Sequence, residues 1–223
     1  MNQEQALFLL KETKLVAILR GIPVKQATDI ATALYDGGVR VLEFTFDHDD
    51  PDCVAHNCQR IRAVKKIFGD EMVVGCGTAL TVQEVEASVE AGGQIVISPN
   101  VDVSVIAKTK ALGAISMPGA LTPTEIVMAY NAGADIVKLF PAGTLGVPYI
   151  KAVRGPLGYI PMSAVGGVRP ETIADFLNVG VCGFGVGGEL VKKEFVRSGD
   201  MNALTSRARK FVHAIEQWEA NRS

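Results

Sequence analysis

Hydrophobic residues fall into eight short runs along the chain. They are LVAILR (15–20), VLEFTF (41–46), MVVGCG (72–77), QIVISP (94–99), AISMPG (114–119), DIVKLF (135–140), IPMSAV (160–165) and CGFGVG (182–187). Each is nearly continuous in apolar character instead of alternating, which predicts strands covered on both faces, as in a parallel sheet. The stretches between them are amphipathic and helical. TVQEVEASVEAGG and TPTEIVMAYNAG open on a threonine suited to an N-cap and close on glycine. KQATDIATALYDGG also closes on glycine, and RPETIADFLNVG has proline near its start and glycine at its end. Each run follows the last after a single strand–helix unit, with little room for insertions. Eight such units predict an α/β fold, a (β/α)8 TIM barrel, occupying residues 1–223 as one domain. Residues 1–13 form an extra N-terminal helix. The closing TSRARKFVHAIEQWEANRS reads as an amphipathic helix whose Trp218 makes a packing or subunit contact.

Composition narrows the partners. The chain is 48% hydrophobic and 21% charged, which suits one large core. A formal net charge of -2 implies no basic face for nucleic acid and no basic helix for a membrane surface. No apolar run reaches the ~18 residues of a membrane span. The opening MNQEQALFLLKETK is too polar for a signal peptide. Cys53, Cys58, Cys76 and Cys182 show no framework spacing, so reduced thiols in a cytoplasm are expected. The segment DHDDPDCVAHNC gathers His48, His56, two cysteines and four aspartates. Its spacing matches no metal-ligand pattern, and Pro51 and Asp52 mark a helix start, so a solvated helix is expected and no metal.

Candidate chemistry lies where strands end, because a barrel of this kind works at the C-terminal ends of its strands. Apart from Asp135 at a strand entrance, the charged residues of the eight runs are Arg20, Glu43 and Lys138. Glu43, Thr45 and Asp47 share one parity and so one side of their strand. Lys138 stands in the middle of a buried strand, where an ammonium costs several kcal/mol unless paired or deprotonated. Two readings stay open. One is a structural salt bridge with Glu43. The other is chemical. Charge and apolar walls lower the lysine pKa, the amine attacks a ketone, and the resulting iminium acts as an electron sink while Glu43 moves protons. Such a lysine needs no cofactor.

The glycines add a second feature. Gly166 and Gly167 in AVGGVRPET, and Gly187 and Gly188 in GFGVGGELV, fall after the seventh and eighth strands. Those loops are the usual phosphate site of a barrel, where backbone amides can approach an anion; tight turns are the alternative. GFGVGG lacks the acidic partner and context of a dinucleotide site. Lys192 and Lys193 beyond it read as a solvated face, with contact to a substrate's phosphate as the lesser alternative.

Taken in order, VAILRG, GGVRVLEFT, GCGTAL, ISPN, MPGA, VKLFPA and AVGGV make the chain resemble the class I 2-keto-3-deoxy-6-phosphogluconate / 4-hydroxy-2-oxoglutarate aldolases and their phosphogalactonate relatives. The resemblance implies a (β/α)8 barrel, a homotrimer, and reversible cleavage of a 2-keto-4-hydroxy acid, 2-keto-3-deoxy-6-phosphogluconate or a close relative, to pyruvate plus an aldehyde. It also implies Lys138 as the Schiff-base lysine and Glu43 as the general acid/base. Thr78 would hold the pyruvyl carboxylate, Arg20 and Pro99 would line the pocket, and Gly166 and Gly167 would bind phosphate.

Two positions depart from that family. Many members carry an arginine four residues after the glutamate, where it binds substrate carboxylate; here the residue is Asp47, and the galactonate-type members also lack the arginine. A serine that often follows the last glycine loop is Gly188. Two other readings remain at this point. One is a sugar-phosphate isomerase or epimerase working with carboxylates or cysteine. The other is a non-catalytic barrel that binds a sugar acid.

Overall fold

The computed structural model describes residues 1–222. Its strands are β1 (Leu15–Leu19), β2 (Val41–Thr45), β3 (Val73–Gly77), β4 (Ile95–Ile97), β5 (Ile115–Met117), β6 (Gly119–Ala120), β7 (Val137–Leu139), β8 (Met162–Val165) and β9 (Gly183–Val186). All pairs are parallel, in the order β5-β4-β3-β2-β1-β9-β8-β7-β6. Each of the eight apolar runs supplies one stave of a barrel. The fifth run is divided at Pro118, which has no N–H to donate. Its first half, β5, pairs with β4, and its second half, β6, pairs with β7. The ring closes across the division, because Ser116 O accepts from Asp135 N–H (3.0 Å) and Pro118 O accepts from Lys138 N–H (2.9 Å).

Helices α1 (Gln3–Thr13), α2 (Ala27–Asp36), α3 (Cys53–Phe68), α4 (Val82–Glu90), α5 (Val103–Ala111), α6 (Pro123–Asn131), α7 (Ala142–Leu157), α8 (Ile173–Asn178), α9 (Lys193–Ser198) and α10 (Met201–Ala220) complete the chain. The two threonine caps form as the sequence predicts. Thr81 and Glu84, and likewise Thr122 and Glu125, exchange side-chain and backbone hydrogen bonds in capping boxes. Trp218 Nε1 donates to Asn178 Oδ1 at 2.9 Å, tying α10 to α8. The histidines of the acidic segment are engaged separately, His48 with Glu84 and His56 with Asp50, each at 2.7 Å.

Period-two alternation divides the core in two. Outward side chains such as Leu42, Phe44, Leu139 and Phe184 pack against the ring of helices. Inward ones, Val16, Val41, Val73, Ile95, Ile115 and Ile136, meet each other and Ala6 and Leu10 of α1. The extra N-terminal helix therefore stoppers the bottom of the barrel, and the polar inward positions are left to the top.

Candidate active site

Following the same inward parity toward the C-terminal ends of the strands, β4 and β5 stay packed at Ile97 and Met117, while β2 and β7 turn polar. On β2 the series runs Val41, Glu43, Thr45; before and within β7 it runs Ile136, Lys138 and then Phe140. Glycines make the room. A β-carbon on Gly77 would stand 1.2 Å from Glu43 Oε2, and one on Gly75 would stand 1.8 Å from Ile95 O. No other residue type fits beside the glutamate. The result is a cavity of about 660 Å³ that opens at the top of the barrel.

Every residue expected at the site lines this cavity: Arg20, Glu43, Thr78, Pro99, Lys138, Gly166, Gly167, Gly187 and Gly188. Asp47 does not. Its parity with Glu43 loses meaning because β2 ends at Thr45, and Asp47 is exposed in the following turn. Its carboxylate is thus outside the pocket and does not repel a substrate carboxylate there.

Glu43 is 1% exposed and Lys138 8%. The salt bridge that would make them purely structural is absent among the described residues. Glu43 Oε2 has no hydrogen-bond partner, and Lys138 Nζ lies 5.0 Å from the centroid of the Phe140 ring. Loss of hydration pushes the Glu43 carboxyl up to about 7, against the pull of Lys138 and then Arg20. Loss of hydration also lowers the Lys138 ammonium, which Glu43 opposes and Arg20 reinforces. Burial thus shifts both groups toward their neutral forms. A buried, unpaired amine and a carboxyl able to hold or release a proton are the parts for nucleophilic attack on a carbonyl with proton transfer beside it. Cys76, a candidate nucleophile for an isomerase, is buried, and burial pushes its thiol up to about 12.

Thr78 sits at the rim in the left-handed region, with φ 58°. That is an unfavourable place for a β-branched residue, costing about 1–3 kcal/mol, and such strain collects at binding sites. Across the cavity, Gly166 (φ 89°) and Gly167 (φ 72°) take the same region. The turn after Lys138 packs directly on them, with Gly143 N–H donating to Gly166 O at 2.7 Å. The amides of Gly166, Gly167, Gly187 and Gly188 donate to no acceptor among the described residues. Both glycine loops thus line the cavity with N–H groups that have no protein acceptor among the described residues.

Several lining residues were not among those expected at the site. Thr45 and Phe140 share the parity of Glu43 and Lys138, a signal that selects both. Glu189 and Lys193 also line the cavity. Lys193, expected first on a solvated face, is exposed and lines the cavity from the start of α9.

The sequence profile of the KDPG and KHG aldolases matches residues 8–207. The chain belongs to this family. It is an aldolase, a carbon–carbon lyase. A probable 2-dehydro-3-deoxy-6-phosphogalactonate aldolase of Rhizobium meliloti is 37% identical over 182 residues, covering 81% of this chain and 83% of that protein. The 2-dehydro-3-deoxy-6-phosphogalactonate aldolase of Escherichia coli is 35% identical over 179 residues, 80% of this chain and 84% of that protein. A solved structure described as native KDPGal superposes with a TM-score of 0.83 at 32% identity, over 92% of this chain and 96% of that one. Family membership and the open barrel agree on chemistry at the top of the strands. Among the described residues no helix is long and apolar enough to cross a membrane.

Proposed function

We propose that this aldolase cleaves 2-keto-3-deoxy-6-phosphogalactonate (the 2-dehydro acid of its relatives' names), or a 2-keto-4-hydroxy acid of the same phosphorylated form, to pyruvate and a phosphorylated aldehyde. The observation that carries the reading is the buried pair of Glu43 and Lys138, unpaired with each other, in a cavity with free amides at one end. The galactonate form is favoured over the gluconate form by the relatives named above. It is favoured also by the lack of an arginine at Asp47, a lack shared by the galactonate-type enzymes that the sequence resembles.

The roles follow from position. The neutral amine of Lys138 adds to the C2 carbonyl, and Glu43 protonates the oxygen, which leaves as water to give the iminium. The Glu43 carboxylate then takes the proton of the C4 hydroxyl. The C3–C4 bond breaks, its electron pair passes into the iminium as an enamine, and the aldehyde departs. Protonation at C3 and hydrolysis release pyruvate and regenerate the amine. Arg20 and Thr78 hold the C1 carboxylate, Pro99 walls the pocket, and the amides of Gly166, Gly167, Gly187 and Gly188 hold the phosphate. The iminium supplies the electron sink, so these steps call on no cofactor.

We infer the homotrimer from the family resemblance. A cytoplasmic location has the support of four free cysteines, as a reducing compartment keeps them. The deciding experiment is borohydride trapping with pyruvate, followed by peptide mapping, alongside turnover of the phosphogalactonate and phosphogluconate acids. A reduced pyruvyl adduct on Lys138 and faster turnover of the galactonate isomer are expected. An adduct on another residue, or none, removes Lys138 from its role; preference for the gluconate isomer removes the substrate assignment.

A further inference from the structure

At the glycine-loop end of the cavity, charge is out of balance. A phosphate monoester brings about -1.5 to -2, and unpaired amides offer it only partial positive charge. Three cations line the cavity, Arg20, Lys138 and Lys193. In the mechanism above Lys138 reacts as the neutral amine and Arg20 serves the carboxylate. Lys193 is then the cation left for the phosphate. Its own state agrees: the neighbouring Lys192 is paired with Glu194 at 3.6 Å, while the Lys193 ammonium has no hydrogen bond or ion pair among the described residues. The carboxylate at this end, Glu189, is drawn off by Arg207, whose Nη2 lies 3.4 Å from Oε2 and whose Nε donates to the Glu189 carbonyl at 2.8 Å. Beside it, a β-carbon on Gly188 would meet nothing within 4 Å, so the space where a hydroxyl could reach the phosphate is open.

We propose that Lys193 is the cationic contact to the substrate's phosphate and sets the preference for phosphorylated over unphosphorylated keto acids. The proposal rests on the reading that the glycine loops bind phosphate. It makes Lys193 a specificity residue and leaves bond cleavage to Lys138 and Glu43. In place of a side-chain hydroxyl on the last glycine loop, this chain extends an ammonium from the first residue of α9. An ammonium acts on phosphate as a point charge, so arginine at the same position retains the contact.

The test compares kcat/KM for 2-keto-3-deoxy-6-phosphogalactonate and for the same acid without its phosphate, in the wild type, Lys193→Met and Lys193→Arg. Inhibition by inorganic phosphate is read in the same three proteins. Expected is a fall of about tenfold in the phosphorylated-to-unphosphorylated ratio for Lys193→Met, carried by KM, with weaker phosphate inhibition. Lys193→Arg should hold the ratio within about threefold of wild type. A methionine variant that keeps the wild-type ratio, or loses both substrates equally, overturns the role of Lys193 while leaving the glycine loops in place. A wild type that does not distinguish the two substrates overturns the phosphate reading itself, and this proposal with it.

Discussion

The lower and upper halves of the barrel interior are built on the same strands and the same parity, and they differ in nearly everything else. Below, Val16, Val41, Val73, Ile95, Ile115 and Ile136 fill the space together with Leu10 of α1. Side chains there touch side chains, and burial of apolar area stabilises the fold at about 25 cal/mol per Å². One step up β2 and β7, Val41 gives way to Glu43 and Ile136 to Lys138, and the facing residues on β3 are glycines. Here volume is left open and two ionisable groups are buried without hydrogen-bond partners. The lower half stabilises the fold; the upper half is destabilising by itself, and it tolerates its charges because the lower half is closed. Stability and chemistry are thus separable along a single strand, and substitutions should separate them.

The largest effect is expected at Gly77, where the two designs meet. Alanine there puts a methyl into the position of the Glu43 carboxylate, 1.2 Å from Oε2 and 2.1 Å from the carboxyl carbon. The carboxylate is the end of a flexible side chain, so it swings aside and the barrel still folds. Proton transfer loses its positioned group, which is worth roughly 10²–10⁴-fold. Gly77→Ala should cut kcat on the order of 10³-fold while the pyruvyl adduct on Lys138 still forms. A variant with near wild-type turnover would show that Glu43 works from another position, or not at all.

The converse substitution belongs to the lower half. Leu10 is buried in the stopper helix against the inner face of the strands. Leu10→Ala removes buried methylenes and leaves a cavity, at about 3 kcal/mol. Urea unfolding should show that loss in full, and kcat at temperatures where the protein remains folded should change less than about threefold, within the ordinary scatter of remote sites. A large fall in kcat without unfolding would mean that the bottom of the barrel also sets the geometry of the top, and the separation would fail.

The sequence makes the lower half far more legible than the upper one. Continuous apolar runs report strands buried on both faces, and all eight correspond to staves. The division at Pro118 escapes notice because Pro118 and Gly119 read as the end of a run, whereas the chain resumes as β6 to pair with β7. The buried ionisable pair is visible for the opposite reason: Glu43 and Lys138 break the apolar pattern. What surrounds them is not visible. The hollow beside Glu43 depends on Gly77 of the adjoining strand, and an absent side chain leaves no mark in a local pattern. Parity carried past the end of β2 put Asp47 with Glu43, although the turn after Thr45 takes it to the surface. Lys193 looks like any lysine beside another, and only the fold brings it to the same cavity as the glycines.

The smallest effect concerns the free energy of the buried pair and has a definite sign. The Glu43 carboxyl is raised from 4.5 to about 7 by loss of hydration. Below the unfolded value both states carry the proton and Glu43 contributes no pH dependence. Between about 4.5 and about 7 the unfolded chain releases the proton and the folded chain keeps it. The folded state then binds more protons, so stability falls as pH rises, by about 1.4 kcal/mol per unit at the steepest. Lys138 has the opposite slope. Its lowered pKa makes the unfolded chain the better proton binder until the ordinary lysine value is passed, so its contribution rises with pH. Glu43→Gln removes the falling component and also removes the anion that opposes the lysine shift. The first change favours the variant as pH increases, and the second acts in the same direction wherever the lysine titrates. Urea unfolding at pH 5 and pH 7 should therefore show Glu43→Gln gaining on the wild type by roughly 1–3 kcal/mol across that interval, the linkage expected of one carboxyl. Parallel stability curves would place the Glu43 carboxyl at its ordinary pKa in the folded protein, and the upper half of the barrel would then be as wet and as free of electrostatic cost as the solvent above it.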